Sequence, residues 1–351
     1  MRLKLISIVF VLLYAVISHA QTNPLSVKDF QKQQQWVDSV YKTLSLDEKI
    51  GQLFMVPAYS NLDKKHEKSV KNLIKKYHIG SLIFMQGTPQ KQAKLNNNYQ
   101  ALSKVPLLIG FDGEWGLNMR LENTYRFPWN MTLGAIQDND LITQFGKRVG
   151  EQCKRLGIHV NFAPVVDVNT NPLNPIIGNR SFGQDPNNVT EKSLAFMQGI
   201  QSENVLTTAK HFPGHGDTAT DSHLGLPTVL HSKAYIDSVD LKPYKILINN
   251  GLTGVMVAHL NVPSLEPTPN LPTSLSSNVI NGLLKKDLGF KGLVFTDALN
   301  MKGVANFGKT TTVDFKAFQA GNDVMMFSAN IPKAIKKIKK AVLNGAISKY
   351  R

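Results

Sequence analysis

Val205-Leu-Thr-Thr-Ala-Lys-His211 is an apolar, β-branched run that passes directly into Phe-Pro-Gly-His-Gly-Asp-Thr-Ala-Thr-Asp-Ser-His223. The run is typical of a buried strand, and the prolines and glycines that follow it exclude a regular helix. The fourteen residues from Lys210 to His223 hold three of the nine histidines of the chain and two aspartates. Ionisable side chains just past the carboxyl end of a buried strand are typical of the catalytic rim of a parallel α/β protein.

Seven further apolar runs along the chain have the same character, and each ends in a glycine, a proline or a polar turn. Most are separated by roughly 20 to 40 residues that contain the 3.6-residue period of an amphipathic helix. This alternation predicts a parallel sheet with helical crossovers. The eight expected strands are Gly51 to Pro57, Ser81 to Met85, Pro106 to Phe111, His159 to Val168, Val205 to His211, Leu252 to Val262, Gly292 to Asp297 and Asp323 to Phe327.

Eight such units form either a closed barrel or an open doubly wound sheet. The sequence contains no Gly-x-Gly-x-x-Gly turn after the first strand and no phosphate loop. Six polar residues fall at or just past the carboxyl ends of the strands, where a barrel brings them around one mouth; they are Asp112, Asp167, Lys210, His211, His259 and Asp297. The sequence therefore predicts a single α/β domain of the (β/α)8 TIM-barrel type, preceded by a short helix near residues 37–46.

The first twenty residues have the pattern of a secretory signal peptide. Arg2 and Lys4 precede a largely apolar run over 5–17, and a small-residue cleavage site ends at Ala20. The run is shorter than the roughly 20 residues of a membrane-spanning helix. We therefore expect residues 21–351 to form a soluble, exported protein, periplasmic or extracellular, without a stable membrane anchor.

The charge and cysteine content narrow the possible partners. Most of the lysine excess behind the net charge of +15 lies in segments 64–76 and 333–340, where apolar residues recur at helical spacing. We interpret these as solvated faces of amphipathic helices rather than as a surface for nucleic acid. The only cysteine, Cys153, excludes an intrachain disulfide and falls among the apolar positions of segment 141–156, which predicts a buried, inert thiol. No motif calls for a cofactor.

The loop sequence resembles glycoside hydrolase family 3, and within it the bacterial β-N-acetylglucosaminidase branch, which carries Lys-His-Phe-Pro-Gly-His-Gly-Asp-Thr followed by Asp-Ser-His. Two more elements match: Leu293-Val-Phe-Thr-Asp297-Ala-Leu-Asn-Met301, where the family's nucleophilic aspartate ends a strand, and Asp112 with Arg120 eight residues later. The resemblance implies a (β/α)8 barrel and a retaining exo-β-N-acetylglucosaminidase. Its substrate would be an oligosaccharide with terminal N-acetylglucosamine, from peptidoglycan fragments or chitin.

The resemblance also implies which residues act. Asp297 matches the nucleophile, and this branch takes its acid and base from a loop histidine oriented by an aspartate two residues before it, here His223 and Asp221. Imidazole titrates at about 6.5 when unperturbed, which suits a group that gives a proton to the leaving oxygen and then takes one from water. The matching substrate-binding positions are Asp112, Arg120, Arg180, Lys210 and His211.

Individual residues also admit simpler interpretations. An aspartate at a strand-to-helix turn, such as Asp297, is commonly a helix N-cap, and each charged substrate-binding position taken alone fits a rim ion pair. Two positions depart from the family pattern: Trp115 stands where a glycine is frequent, and Ala298 stands where some relatives have a second aspartate. We expect Trp115 to alter the pocket wall or a neighbouring subsite.

Three other functions remain open from the sequence. The first is a zinc hydrolase, since imidazole and carboxylate groups cluster in the loop. Its ligands would be His211, His215, Asp217, Asp221 and His223. Against it, Pro213 and Gly214 break the helical face that a His-Glu-x-x-His site needs. A non-catalytic exported glycan-binding barrel is another, and a family 3 β-glucosidase is the third. The family's members usually continue into a closing helix, or in some bacterial groups into a fused domain. This sequence stops at Arg351, soon after the helical segment that ends at Leu343, and truncation is one interpretation.

Overall fold

Eight parallel strands form one sheet in the computed structural model, which describes residues 25, 29–220, 225–305, 307–308, 310–348 and 351. The strands are β1 Phe54–Tyr59, β2 Ser81–Met85, β3 Leu108–Phe111, β4 Val160–Asn161, β5 Leu206–Phe212, β6 Gly254–Val257, β7 Leu293–Thr296 and β8 Met325–Met326. Their order is β7-β6-β5-β4-β3-β2-β1-β8, and a parallel bridge between Phe295 and Val324 joins the two ends. The predicted (β/α)8 barrel is confirmed, and each strand overlaps its predicted run.

Helices connect the strands on the outside of the barrel. The described α-helices are Phe30–Lys42, Leu46–Gly51, Lys64–Tyr77, Pro89–Gln100, Asn130–Gly134, Asn139–Arg155, Pro186–Gln201, Lys233–Ser238, Leu241–Asn249, Lys302–Ala305, Thr310–Ala320 and Ile331–Leu343. Three short 3-10 turns cover Leu117–Met119, Gly178–Arg180 and Thr273–Leu275, and Asn278–Asp287 is a π-helix. No helix of the described residues is long and apolar enough to cross a membrane. The predicted signal peptide lies outside the described residues.

The lead helix differs from its predicted bounds. A lead helix is present, but it covers Phe30–Lys42 and a second helix begins at Leu46, so the predicted bounds of 37–46 are wrong. The reason is a capping box: the Ser45 hydroxyl accepts from the Glu48 N–H, and the Glu48 carboxylate accepts from the Ser45 N–H. This reciprocal pair starts a new helix where the apolar period alone predicted continuity.

The amphipathic helices place their lysines outward, as predicted. In Lys64–Tyr77 the buried residues are Val70 and Ile74. In Ile331–Leu343 they are all aliphatic, namely Ile331, Ala334, Ile335, Ile338, Ala341 and Val342. Cys153 is buried, and burial raises the pKa of its thiol to about 12, which confirms the prediction of an inert cysteine.

The interior of the barrel is packed with large side chains rather than open. Phe162 and Phe295 meet edge to face with ring centroids 5.2 Å apart. Gly110 on β3 makes room for them, because a Cβ there would lie 2.7 Å from the Phe162 ring. The rest of this inner cluster is Met55, Ile83, Val160, Met256, Val324 and Met326. Filling of the barrel leaves the carboxyl ends of the strands as the place for a ligand.

Candidate active site

A cavity of about 560 Å³ lies at the carboxyl ends of the strands. This volume is in the range of pockets that hold a small ligand. Six residues predicted from the sequence line it together: Asp112, Arg120, Arg180, Lys210, His211 and Asp297. The structure therefore brings the predicted binding residues and the predicted nucleophile to one site, while Asp221 and His223 lie outside the described residues.

Five charged side chains of the site form a continuous chain of ion pairs. Lys210 stands in the middle, with Nζ 2.6 Å from Asp112 Oδ1 and 2.7 Å from Glu114 Oε1. Arg120 donates to the other Asp112 oxygen. Arg180 donates to both Glu114 oxygens, from Nε at 2.9 Å and from Nη2 at 2.7 Å. Each charge in this poorly solvated place has an opposite partner, which is the condition for keeping it charged.

Both carboxylates of the ion-pair chain are ionised at neutral pH. Burial by itself would raise the pKa of Asp112, but the charges of Lys210 and Arg120 hold that pKa well below its usual range. For Glu114, burial is outweighed in the same way by Arg180 and Lys210, so its pKa is also lowered. The site therefore presents fixed acceptors and donors without waiting for a proton to move.

His211 has a defined tautomer. Its Nε2 lies 3.1 Å from Arg180 Nη2 and its Nδ1 lies 2.7 Å from Asp167 Oδ2. A guanidinium group only donates, so Nε2 accepts, and the ring proton is on Nδ1, directed at Asp167. Burial would raise the pKa of Asp167, but the imidazoles of His211 and His215 and the hydrogen bonds to this carboxylate lower it.

The first part of the loop after β5 is fixed to the barrel through His215. Its backbone N–H donates to Asp167 Oδ1 at 2.7 Å, and its Nδ1 pairs with the Thr218 hydroxyl at 2.6 Å. Asn174 donates from Nδ2 to the carbonyl oxygens of His215 and Gly216. Burial, helped by neighbouring His211, lowers the pKa of the His215 imidazole to about 4, so it is neutral at pH 7.

Asp297 follows β7 directly and borders the cavity. Its backbone N–H donates to Val257 O on β6, and its Oδ1 accepts from the Ala298 N–H at 2.7 Å. The next helix starts only at Lys302, so Asp297 is not the N-cap of that helix. Burial would raise the pKa of Asp297, but the imidazoles of His211 and His259, the Ala298 N–H and the Lys210 charge together lower it.

His259 supports the backbone beside Asp297. Its Nε2 lies 3.0 Å from Ala298 O and its Nδ1 lies 2.7 Å from the Ser274 hydroxyl oxygen. A carbonyl only accepts, so the ring proton is on Nε2. The sequence placed His259 at the rim, and its observed contacts are with the peptide that follows the predicted nucleophile.

Glu114, Asp167 and His215 were not among the predicted catalytic or substrate-binding residues, although the sequence placed Asp167 at the rim and His215 in the loop. Glu114 lies two residues after Asp112, and Asp167 follows β4, so strand ends were the available signal for both. Trp115 is not part of the cavity wall, contrary to one of the two expectations for it; its ring packs against Trp129 with centroids 4.2 Å apart. The apolar wall, which includes Met85, Met256, Met301, Met326 and Phe327, was not predicted, although Met85 and Phe327 end predicted strands.

The part of the chain that the structure describes contains no group of three or more His, Cys, Asp or Glu side chains that could hold a metal ion. Two of the five ligands of the zinc alternative, Asp221 and His223, are outside that part.

The fold and the site define a TIM barrel with a charged pocket at the carboxyl ends of its strands. The chain belongs to glycosyl hydrolase family 3, whose N-terminal domain matches residues 45–351. The predicted family is confirmed.

Curated relatives and solved structures agree with this family. "Beta-hexosaminidase A" of Pseudoalteromonas piscicida is 36% identical over 277 residues, which cover 72% of this chain and 46% of that relative. "Beta-N-acetylglucosaminidase/beta-glucosidase" of Cellulomonas fimi is 29% identical over 325 residues, covering 90% of this chain and 57% of that protein. A family 3 β-N-acetylglucosaminidase structure from Paenibacillus sp. str. FPU-7 superposes with a TM-score of 0.81 at 38% identity, covering 88% of this chain and 60% of that one. The chain thus spans about half the length of the first of these relatives.

Proposed function

We propose that this protein is an exported, retaining exo-β-N-acetylglucosaminidase that removes terminal N-acetylglucosamine from peptidoglycan fragments or chitin-like oligosaccharides. The observation that carries the proposal is the ionised carboxylate of Asp297 in a cavity that also presents the ion-pair chain of Arg120, Asp112, Lys210, Glu114 and Arg180. The β-hexosaminidase relatives support the choice of an acetamido sugar. Export rests on residues 1–20 of the sequence.

In the proposed complex the cavity holds the terminal sugar. Asp112, whose side chain is 19% exposed, accepts hydrogen bonds from sugar hydroxyls, and Arg120, Arg180 and Lys210 donate to them. His211 contacts the sugar from a position fixed by Asp167. The methionine side chains of the wall offer an adaptable apolar surface to the ring faces.

The first chemical step breaks the glycosidic bond. Asp297 Oδ1 is engaged by the Ala298 N–H, so Oδ2 attacks the anomeric carbon and forms a glycosyl ester. The bond from that carbon to the leaving oxygen breaks, and the oxygen takes the proton of the His223 imidazolium. The lowered pKa of Asp297 keeps the nucleophile ionised before the attack.

The second step returns the enzyme to its starting state. Neutral His223 takes a proton from water, and the resulting hydroxide attacks the anomeric carbon. The ester bond to Asp297 breaks, and its carboxylate is restored. Two inversions at the same carbon give net retention of configuration.

The described histidines of the site support the choice of His223 as the acid. His211 has Nε2 occupied by Arg180 and Nδ1 by Asp167, so it has no nitrogen left for a leaving oxygen. His215 has a pKa lowered to about 4, so it is neutral rather than an imidazolium at pH 7. The assignment of His223 and its partner Asp221 rests on the family pattern of the loop.

The direct test is hydrolysis of 4-nitrophenyl β-N-acetylglucosaminide beside the matching β-glucoside, with residues 21–351. We expect turnover of the acetamido sugar. Turnover of the glucoside as well would support the second candidate, a dual-specificity enzyme, which the name of the Cellulomonas fimi relative favours. Turnover of the glucoside alone, or of neither substrate by a folded chain, would refute the proposed function.

Variants of the two proposed catalytic residues test the mechanism. Asp297→Ala should abolish turnover, and added azide should restore it by forming the α-glycosyl azide, because azide replaces the missing nucleophile. His223→Ala should lose far more activity on N,N′-diacetylchitobiose than on the nitrophenyl glycoside, whose leaving group needs little protonation. The control is Asp287→Ala, an exposed aspartate at the end of the π-helix. Equal losses on the two substrates would count against His223 as the acid.

A further inference from the structure

Glu114 lies at the centre of the site without belonging to its surface. Its side chain is fully buried, at 0% exposure, and it is not among the residues that line the cavity. It nevertheless bonds two residues that do line it, Lys210 and Arg180. A ligand in the cavity would therefore meet these two cations and not the carboxylate between them.

The two cations reach Glu114 from separate parts of the fold. Lys210 is on β5, and Arg180 ends the 3-10 turn Gly178–Arg180. The Nε and Nη2 groups of Arg180 both donate to Glu114. Its Nη1 donates to Ile176 O at 3.1 Å. A bidentate pair of this kind fixes the plane of the guanidinium group as well as its position.

The charge of Glu114 also determines how many hydrogen bonds Asp112 can still accept from a ligand. The ion-pair chain contains three cations and two carboxylates, and Asp112 already bonds Lys210 and Arg120. Arg180 is close enough to feel the Asp112 charge as well. Without a negative charge at Glu114, Lys210 and Arg180 would both turn to Asp112, the carboxylate of the ion-pair chain that lines the cavity.

We propose that Glu114 is the positioning residue for sugar binding: it draws Lys210 and Arg180 together and keeps Asp112 free to accept sugar hydroxyls. This inference rests on the proposed function, because it concerns the same pocket. Glu114 acts only through its two cation partners and does not touch the sugar. Its charge, rather than its shape, carries the effect.

The test is Glu114→Gln, which keeps the shape and removes the charge. The amide group places N–H donors against the donors of Arg180 or Lys210, so at least one charged hydrogen bond is lost. Hydrogen bonds to charged groups are among the stronger ones in proteins, and the loss of one weakens binding by roughly 10- to 100-fold. Titration calorimetry with N-acetylglucosamine in the Asp297→Ala background should show a roughly 10- to 100-fold weaker Kd.

A double-variant cycle shows whether Glu114 acts through the cations. In an Arg180→Met background, Glu114→Gln should weaken sugar binding less than it does alone, because one of the two cations that Glu114 positions is gone. Independent, additive losses would contradict a positioning role. In kinetic measurements, Glu114→Gln should lower kcat/KM by a similar factor for the nitrophenyl glycoside and for N,N′-diacetylchitobiose.

The matched control is Glu266→Gln. Glu266 is also buried, at 4% exposure, but the described partners of its carboxylate are neutral groups of Ser276, Thr268 and Asn278. Both variants should lower the unfolding midpoint, and only Glu114→Gln should change Kd. Unchanged Kd in a folded Glu114→Gln chain would overturn this inference alone, whereas a wild-type chain that neither binds nor hydrolyses the sugar would overturn the proposed function with it.

Discussion

Asp314 should make the stability of the protein fall as pH rises from acid to neutral. It lies on the helix Thr310–Ala320 and is 1% exposed. Burial raises the pKa of its carboxyl to about 7, against a smaller opposing effect of the Ser328 hydroxyl. The folded state therefore holds a proton that the unfolded chain, with an ordinary aspartate pKa of about 3.9, has already released.

The size of the effect follows from this difference in pKa. About three pKa units at roughly 1.4 kcal/mol each give a cost of about 4 kcal/mol. The cost is absent below about pH 4, grows as the unfolded state alone loses its proton, and is complete once the folded carboxyl ionises above about pH 7. Between pH 5 and pH 8 the expected change is roughly 2.5 kcal/mol.

The variant Asp314→Asn separates this charge effect from packing. An amide has the shape of the protonated carboxyl, and any cost of burying it is the same at both pH values. Urea unfolding should therefore show the variant gaining stability relative to wild type by roughly 2.5 kcal/mol between pH 5 and pH 8. Asp140→Asn, at an exposed position of the helix Asn139–Arg155, is the control. A difference between Asp314→Asn and wild type that does not vary with pH would refute the reasoning.

Two further predictions concern the loop after β5 and the packing of two outer helices. Asp217 Oδ2 lies 2.5 Å from His231 Nε2, and this pair joins the two ends of the loop that contains the proposed acid. Asp217→Ala should therefore slow hydrolysis of N,N′-diacetylchitobiose about tenfold, and hydrolysis of the nitrophenyl glycoside no more than about twofold. Equal losses would show that the pair only stabilises the fold. Gly199→Ala should destabilise the protein by about 1 to 3 kcal/mol in urea unfolding, because its Cβ would lie 2.1 Å from a backbone oxygen of the neighbouring helix. Gly282→Ala, with its nearest neighbour at 3.9 Å, should not, and equal effects of the two substitutions would contradict this account.

The barrel could be predicted because its strands carry two signals at once. Val205 to His211 shows both: a β-branched run that fits a strand, and ionisable residues where the run ends. Only a closed barrel brings eight such ends to one mouth, so the pattern predicted the fold and the location of the site together. The lead helix was mispredicted because the apolar period was followed across Ser45, although the capping box with Glu48 is visible in the sequence.

The bounds of β4 show a limit of periodicity. The run from His159 to Val168 predicts ten strand residues, and the structure pairs only Val160–Asn161 as a strand. Beyond it the chain still contacts β5, through a bridge between Val165 and Lys210 and the hydrogen bond from Val166 N to Lys210 O. Pro164 interrupts the ladder because it has no N–H to donate.

The missing parts of the site depend on contacts between distant segments. Nothing near Glu114 in the sequence says that Lys210 and Arg180, 96 and 66 residues away, will neutralise it. His215 was visible as a loop histidine, but its burial and its lowered pKa arise from the packing around it. A sequence can therefore place charges at the rim, whereas the pairing that sets their protonation belongs to the tertiary structure.

Asp167 connects the proposed sugar-binding residues to the loop that contains the proposed acid. It accepts from His211 Nδ1, which belongs to the sugar-binding side, and from the His215 N–H, which fixes the start of the loop. Because the Asp167 carboxylate bonds both His211 and His215, a shift of His211 on sugar binding would move the start of the loop that contains the proposed acid. The buried ion-pair chain can stay rigid through both chemical steps, since its proposed role is only to hold the sugar. The proposed acid must meet a leaving group first and then water, whereas the proposed nucleophile Asp297 directly follows β7 and is fixed by hydrogen bonds to Val257 O and the Ala298 N–H.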